Sequence, residues 1–305
     1  MARNEPRPQR ALDAKVVAAV LRRAARANSA PWLHAEVARR LARRLEPIRL
    51  QPRRIVDWWS FTGGGGALLA NLYPAAQRCI VDPTPALLER SRAAARRPWW
   101  KRLRLREDPI DAQLDSAQLQ RGAQMIWSNM MLHFEPDPPA LFARWHGLLE
   151  DDGLVIFSCL GPGTLRELRA LYARLGWGPP APEFVDMHDL GDMLVHAGFQ
   201  GPVLDQETLT LHWPDAPGLL AELRSLGGNA APQRFAALRT PHWRERLLRE
   251  LETLAGADGR LRLSFEVAYG HAFKGAVRAR EPEPTRITLE DMRALVRSRN
   301  TAPRE

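Results

Sequence analysis

Three apolar runs carry side chains able to do chemistry at their ends: IVDWWSFTGGGG with Asp57, CIVDPTPALLERS with Asp82, and MIWSNMMLHFEPDPP with Ser128, Asn129 and His133. In an open α/β sheet the groups at the carboxyl ends of the strands gather where ligands bind. Asp82 follows Asp57 by 25 residues. At that spacing an acid ending the second strand accepts both hydroxyls of a ribose, while the turn after the first strand runs close to the ligand. The order is that of a nucleoside-binding sheet. An acid that merely precedes Pro83 and the next helix would look the same.

The elements that must position these groups alternate. Strand patterns at Arg54 to Trp59, Gln77 to Asp82, Leu103 to Glu107, Gln124 to Asn129 and Leu154 to Leu160 are separated by helical ones at Gly65 to Leu72, Pro85 to Arg96 and Pro138 to Leu149, with a short polar helix expected at Ser116 to Gln120. Such alternation predicts a parallel sheet covered by helices on both faces. A helix at Thr164 to Leu175 and a Pro-rich linker follow, then a helix capped by Asp186 and closed by Gly198. The strand patterns Leu204 to Trp213 and Leu261 to Phe273, separated by helices at Asp215 to Leu226 and Pro241 to Leu254, suggest antiparallel edge strands. Residues 14 to 27 and 33 to 46 form amphipathic basic helices ahead of the sheet, and a linker with a short helix follows from Glu281.

Composition narrows the classes. The 305 residues are 45% hydrophobic and 26% charged, which suits a folded domain. No run reaches the roughly 18 apolar residues of a membrane span, and no signal peptide opens the chain, so a cytoplasmic location is expected. The net charge is +9, with 14 basic and 4 acidic side chains in residues 1 to 54, so the excess is N-terminal. A cationic arm can meet nucleic acid, anionic lipid or an acidic protein, or form solvated helix faces. With no RNA-recognition motif, nucleic acid is not expected as a partner. Cys79 and Cys159, the two cysteines, sit in strand-like runs as reduced core thiols, and the eight scattered histidines form no metal-site spacing. Trp58 reads as core packing.

SNMMLHFEPDPPALFARWHGLLEDDGLVIFSCLGPGTLRELR, DMHDLGDMLVHAGF, ELRSLGGNA and YGHAFKG together resemble the class I S-adenosylmethionine-dependent methyltransferases, and among them the malonyl-acyl carrier protein O-methyltransferases of biotin synthesis, the BioC family. The resemblance covers about residues 30 to 275 and implies a Rossmann-like α/β sheet with a helical substrate lid. GTLRELR and the DLG helix followed by VLDQETLTLHWP also resemble the complex I assembly factors, which share the fold and are linked to arginine hydroxylation. An assembly or maturation factor with a degenerate cofactor site is therefore the alternative.

The resemblance implies S-adenosyl-L-methionine as cofactor and places its contacts. Matching the first motif on Asp57 puts Trp59, Phe61 and Gly63 at three glycine positions. Two glycines that let backbone approach the methionine part of the cofactor are thus replaced, and Trp59 stands where the carboxylate tail passes. An altered pocket, a dead pocket and a turn without functional meaning all fit. Asp82 and Pro83 match the ribose-binding position, Asp108 the adenine-binding acid, and Ser128 and Asn129 the strand end facing the sulfonium, with His133 on the same rim as a substrate contact or a structural histidine. A malonyl carboxylate is an anion at pH 7 and needs no general base, so catalysis is positioning. Arg224, in the lid segment ELRSLGGNA, is the candidate to fork onto it, or is one more arginine on a helix. The implied partner is acyl carrier protein, small and acidic, which would dock on the basic N-terminal helices; the enzyme is expected to be a monomer. The domains are then residues 1–53, basic helices; 54–275, methyltransferase domain with a lid insertion at about 214–258; and 276–305, a flexible tail.

Overall fold

Seven strands form one sheet in the order β3-β2-β1-β4-β5-β7-β6. The computed structural model describes residues 11–95, 111–235 and 237–275. The strands are β1 Arg54–Trp58, β2 Gln77–Asp82, β3 Asp111–Leu114, β4 Ala123–Asn129, β5 Leu149–Leu160, β6 Phe199–Trp213 and β7 Leu261–Lys274. The first five pair in parallel, as their unbroken apolar runs require of strands buried on both faces. β7 pairs antiparallel with both β5 and β6, so the expected antiparallel strands lie at one edge with β6 outermost.

Helices cover both faces. Over one lie α2 Trp32–Arg43, α7 Arg166–Arg174, α9 Ala216–Leu226 and α10 Pro241–Glu252, packed on Ile55, Met125, Trp127, Ile156 and Phe265. Over the other lie α6 Pro138–Leu148 and α8 Met187–His196, packed on Val56, Trp58, Ile126 and Phe157. Trp58 is core packing, set edge-on to Trp145 with ring centroids 5.7 Å apart. Burial pushes the Cys79 thiol up to about 12, and Cys159 is buried as well. Asp186 caps α8 by accepting the His188 N–H at 2.8 Å.

Two expectations change. Ser116 to Gln120 forms no helix: the chain turns at Asp115 and Ser116, Ala117 N–H bonds back to Leu114 O, and the Ala117 carbonyl accepts from Arg144. A five-residue polar segment is too short to nucleate without a buried face. The N-terminal helices are not a separate unit either. Leu33, Val37 and Leu41 of α2, spaced four apart, are wholly buried in the core, and α1 Ala14–Arg26 buries Val20 and Leu21. The strand expected at Leu103 to Glu107, Asp108 and the tail from residue 276 lie outside the described residues. No helix among the described residues is long and apolar enough to cross a membrane.

Candidate active site

After Asp57 the chain leaves β1 through Trp59, whose φ of 54° and ψ of 52° are left-handed. A tryptophan there costs about 1–2 kcal/mol, offset by two contacts. Its indole Nε1 donates to Asp115 Oδ2 at 3.1 Å, and its ring stacks on Phe134 at 6.5 Å. The short helix α3 Ser60–Gly63 follows, and after Gly64 and Gly65 comes α4 Gly66–Leu72. The Gly run serves packing: a Cβ on Gly63 would lie 3.3 Å from Asn129 O, and one on Gly65 would lie 2.6 Å from Trp127 Nε1. Asp57 is buried beneath this turn, accepting from Ser60 Oγ at 2.6 Å with Arg78 Nε at 3.8 Å. Burial raises its pKa, and Arg78 and Ser60 oppose the rise.

Asp82 ends β2, ahead of α5 Pro85–Ala95, with no exposed surface. Its Oδ1 accepts the Phe61 N–H at 3.2 Å, while Oδ2 is buried without a hydrogen-bond partner. Burial pushes the carboxyl up to about 7 against the Ser91 hydroxyl and the Phe61 N–H, which lower it, and the neighbouring Asp57 and Asp115 add to the rise. A buried acceptor with nothing to accept is what ribose hydroxyls would satisfy. Pro83, half-buried at the bend that follows, lends no N–H to the site. The acid at the end of β3 is Asp115, also raised by burial. The pairing of Asp82 with Leu114 brings it beside Asp82.

At the end of β4, Asn129 Nδ2 donates to His34 O at 2.8 Å and Gly63 O at 2.6 Å, and its Oδ1 accepts from Ser158 Oγ at 2.6 Å. That side chain ties α2, the first turn and β5 together. Ser128 is buried with its hydroxyl unpartnered. The next residue, Met130, turns at φ 54° and lines the cavity beyond.

That cavity, of about 520 Å³, lies over the ends of β1 and β4. Trp59, Phe61, Thr62, His34 and Phe134 line it from the sheet side, α1 and the following loop from above, and Arg224 and Leu226 of α9 from the side. Burial lowers the His34 pKa to about 4, so its neutral ring donates from Nδ1 to Thr62 O at 2.7 Å. His34 was not a candidate in the sequence, and α1, read there as an amphipathic basic helix, was not expected to line the site with Val20, Leu21 and Ala24. His133 is not in this cavity. It lies in the 3₁₀ turn Leu132–Phe134 and lines a second cavity of about 120 Å³ with Thr164, Phe184 and Leu223. Phe134 and Leu226 border both cavities, so they stand between His133 and Arg224.

The methyltransferase-domain family model matches residues 30–202. A malonyl-[acyl-carrier protein] O-methyltransferase of Gallionella capsiferriformans is 40% identical over 88% of this chain and 93% of its own. One of Laribacter hongkongensis is 36% identical over 95% and 96%. Among solved structures, the YcgJ protein of Bacillus subtilis superposes with a TM-score of 0.50 at 11% identity, over 77% of this chain and 98% of its own, a likeness of fold alone. Of the two families its sequence resembles, the chain belongs to the malonyl-[acyl-carrier protein] O-methyltransferases.

Proposed function

We propose that the chain is a cytoplasmic enzyme that methylates the free carboxylate of a malonyl thioester carried on acyl carrier protein, using S-adenosyl-L-methionine. The observation that carries this is the cavity at the strand ends. Phe61 of its lining bonds the buried Asp82, and among the described residues that line it there is no Asp or Glu, while Arg224 stands at its side. A cationic, carboxylate-free lining suits an anionic acceptor.

Asp82 and Asp115 would hold the nucleoside end of the cofactor through hydroxyl and amino groups, Asp82 being tied to the cavity wall by the Phe61 N–H. When bound, S-adenosyl-L-methionine supplies an electrophilic methyl group on a sulfonium. The acceptor carboxylate is ionised at pH 7, so no side chain need remove a proton, and the work of the chain is orientation. Arg224 would fork onto the acceptor, while the indole and phenyl rings of Trp59 and Phe134 keep the cavity dry. The basic faces of α1 and α2, outside the core, offer an acidic carrier protein its approach, and turnover of the carrier-linked substrate is expected to weaken with added salt.

The test is steady-state kinetics with malonyl-acyl carrier protein. Arg224→Ala should raise the acceptor KM about tenfold, in keeping with a charge-assisted hydrogen bond. Absence of methyl ester formation by the wild-type protein would refute the function, and an unchanged KM in the variant would refute the assignment of Arg224.

A further inference from the structure

Several surface arginines lie against carboxylates: Arg40 on Glu36 and Glu207, Arg44 on Asp205, Arg174 on Glu250 and Arg234 on Asp13. Arg23 and Arg224 do not. They occupy the last turns of α1 and α9 and, with Arg26, border the same cavity, and no carboxylate of the described residues pairs with either. They are close enough that the charge of Arg224, after burial, lowers the pKa of Arg23.

The closeness is built in. A guanidinium nitrogen of Arg23 donates to the carbonyl of Gly227, the residue that ends α9. At the other end of α1, Asp13 N–H bonds to Ala230 O at 2.8 Å and the Asp13 carboxylate pairs with Arg234 at 2.7 Å. The first helix is therefore fastened to the segment after α9 at both ends. Two like charges fixed side by side repel unless an anion lies between them.

We infer that Arg23 and Arg224 form a two-armed carboxylate receptor at the mouth of the cavity. Two carboxylates meet this cavity if the function proposed above holds, that of the acceptor and that of the amino-acid tail of the cofactor. The inference rests on that function for its acceptor arm, whereas the cofactor arm is independent of the acceptor. Arg23 was not a candidate from the sequence, where it is one of 14 basic residues in the first 54.

The experiment uses the full chain, wild type against Arg23→Gln, with Arg23→Lys as the variant that keeps the charge. Calorimetry gives the Kd of S-adenosylhomocysteine and of 5′-methylthioadenosine, which lacks the amino-acid tail. With S-adenosylhomocysteine bound, it gives the Kd of malonyl-N-acetylcysteamine and of its acetyl counterpart, which lacks the carboxylate. Arg23→Gln should weaken a carboxylate-bearing ligand about five- to tenfold, the range for a charged hydrogen bond discounted for an open mouth, and leave its carboxylate-free counterpart unchanged. Arg23→Lys should recover most of the loss. A loss confined to the malonyl thioester assigns the receptor to the acceptor, and a loss confined to S-adenosylhomocysteine assigns it to the cofactor. Unchanged Kd values for both carboxylate ligands, or equal losses for ligands with and without the carboxylate, overturn the receptor. If the wild-type protein binds S-adenosylhomocysteine but no malonyl thioester, the proposed acceptor is wrong. The receptor then stands or falls on the pair S-adenosylhomocysteine and 5′-methylthioadenosine alone.

Discussion

Replacing Asp82 by Asn separates two demands placed on one carboxyl, stability and ligand capture. In the folded chain its pKa is raised from 3.8 to about 7, because burial disfavours the charge by more than the Ser91 hydroxyl and the Phe61 N–H favour it. A folded pKa above the unfolded one means that the native state keeps a proton which the unfolded state has already lost. The group is then harmless below pH 4, costs stability progressively as pH rises towards 7, and costs a constant amount beyond. A rise of about three units at 1.36 kcal/mol each gives up to about 4 kcal/mol at pH 8. Asparagine carries no charge at any pH, so Asp82→Asn should match the wild type to within about 1 kcal/mol at pH 4.5. At pH 8 it should exceed the wild type by up to about 4 kcal/mol, or about 8 °C in Tm for a chain of this size. The same change removes an ionised acceptor for ribose hydroxyls and should weaken S-adenosylhomocysteine about ten- to a hundredfold. Urea titrations at the two pH values and calorimetric titration of the ligand read both effects. A stability difference independent of pH would refute the buried neutral acid, and undiminished ligand affinity would refute its role at the site.

Asn129→Ala should lower stability by about 2–4 kcal/mol in urea melts, because it strips partners from the buried carbonyls of His34 and Gly63 and from the Ser158 hydroxyl; an unmoved midpoint would show that these bonds are not holding α2 to the sheet. Gly65→Ala should cost about 1–3 kcal/mol, since its Cβ meets the fully buried Trp127 indole at 2.6 Å. Gly147→Ala, in α6 with nothing within 4 Å of the new methyl, should instead stabilise by up to about 1 kcal/mol, and equal effects of the two in thermal melts would refute the packing account.

The sheet was legible because its strands announce themselves twice, as apolar runs of fixed length and as runs ending in polar groups. Asp82 could be read from its place at the end of such a run. Asp115 could not, because the third strand is four residues of mixed character, DAQL, and only its pairing with β2 shows where it stops. Trp59 was legible as an obstruction but not in its direction: a left-handed turn, chosen by no local propensity, aims the indole at Asp115. The role of α1 was hidden by its arginines, which drew attention to its outer face while Val20 and Leu21 set the inner one. Asn129 looked like a ligand contact because it ends a strand, yet its hydrogen bonds run to three backbone and side-chain groups that lie far apart in sequence.

The order of the strands has a consequence for how the chain matures. β6 finds its strand neighbour only in β7, which is the last element of the sheet and is itself wedged between β5 and β6. Residues 199 to 213 therefore gain their strand pairing only after residues 261 to 274 have been made. The five parallel strands can assemble during synthesis while β6 waits, and the clasp between Asp13 and Arg234 joins nearly the first described residue to one that emerges more than two hundred positions later. The strand that presents Asp82 thus meets its sheet partners early in synthesis, whereas β6, which leads into α9 and Arg224, meets its own only with the last strand.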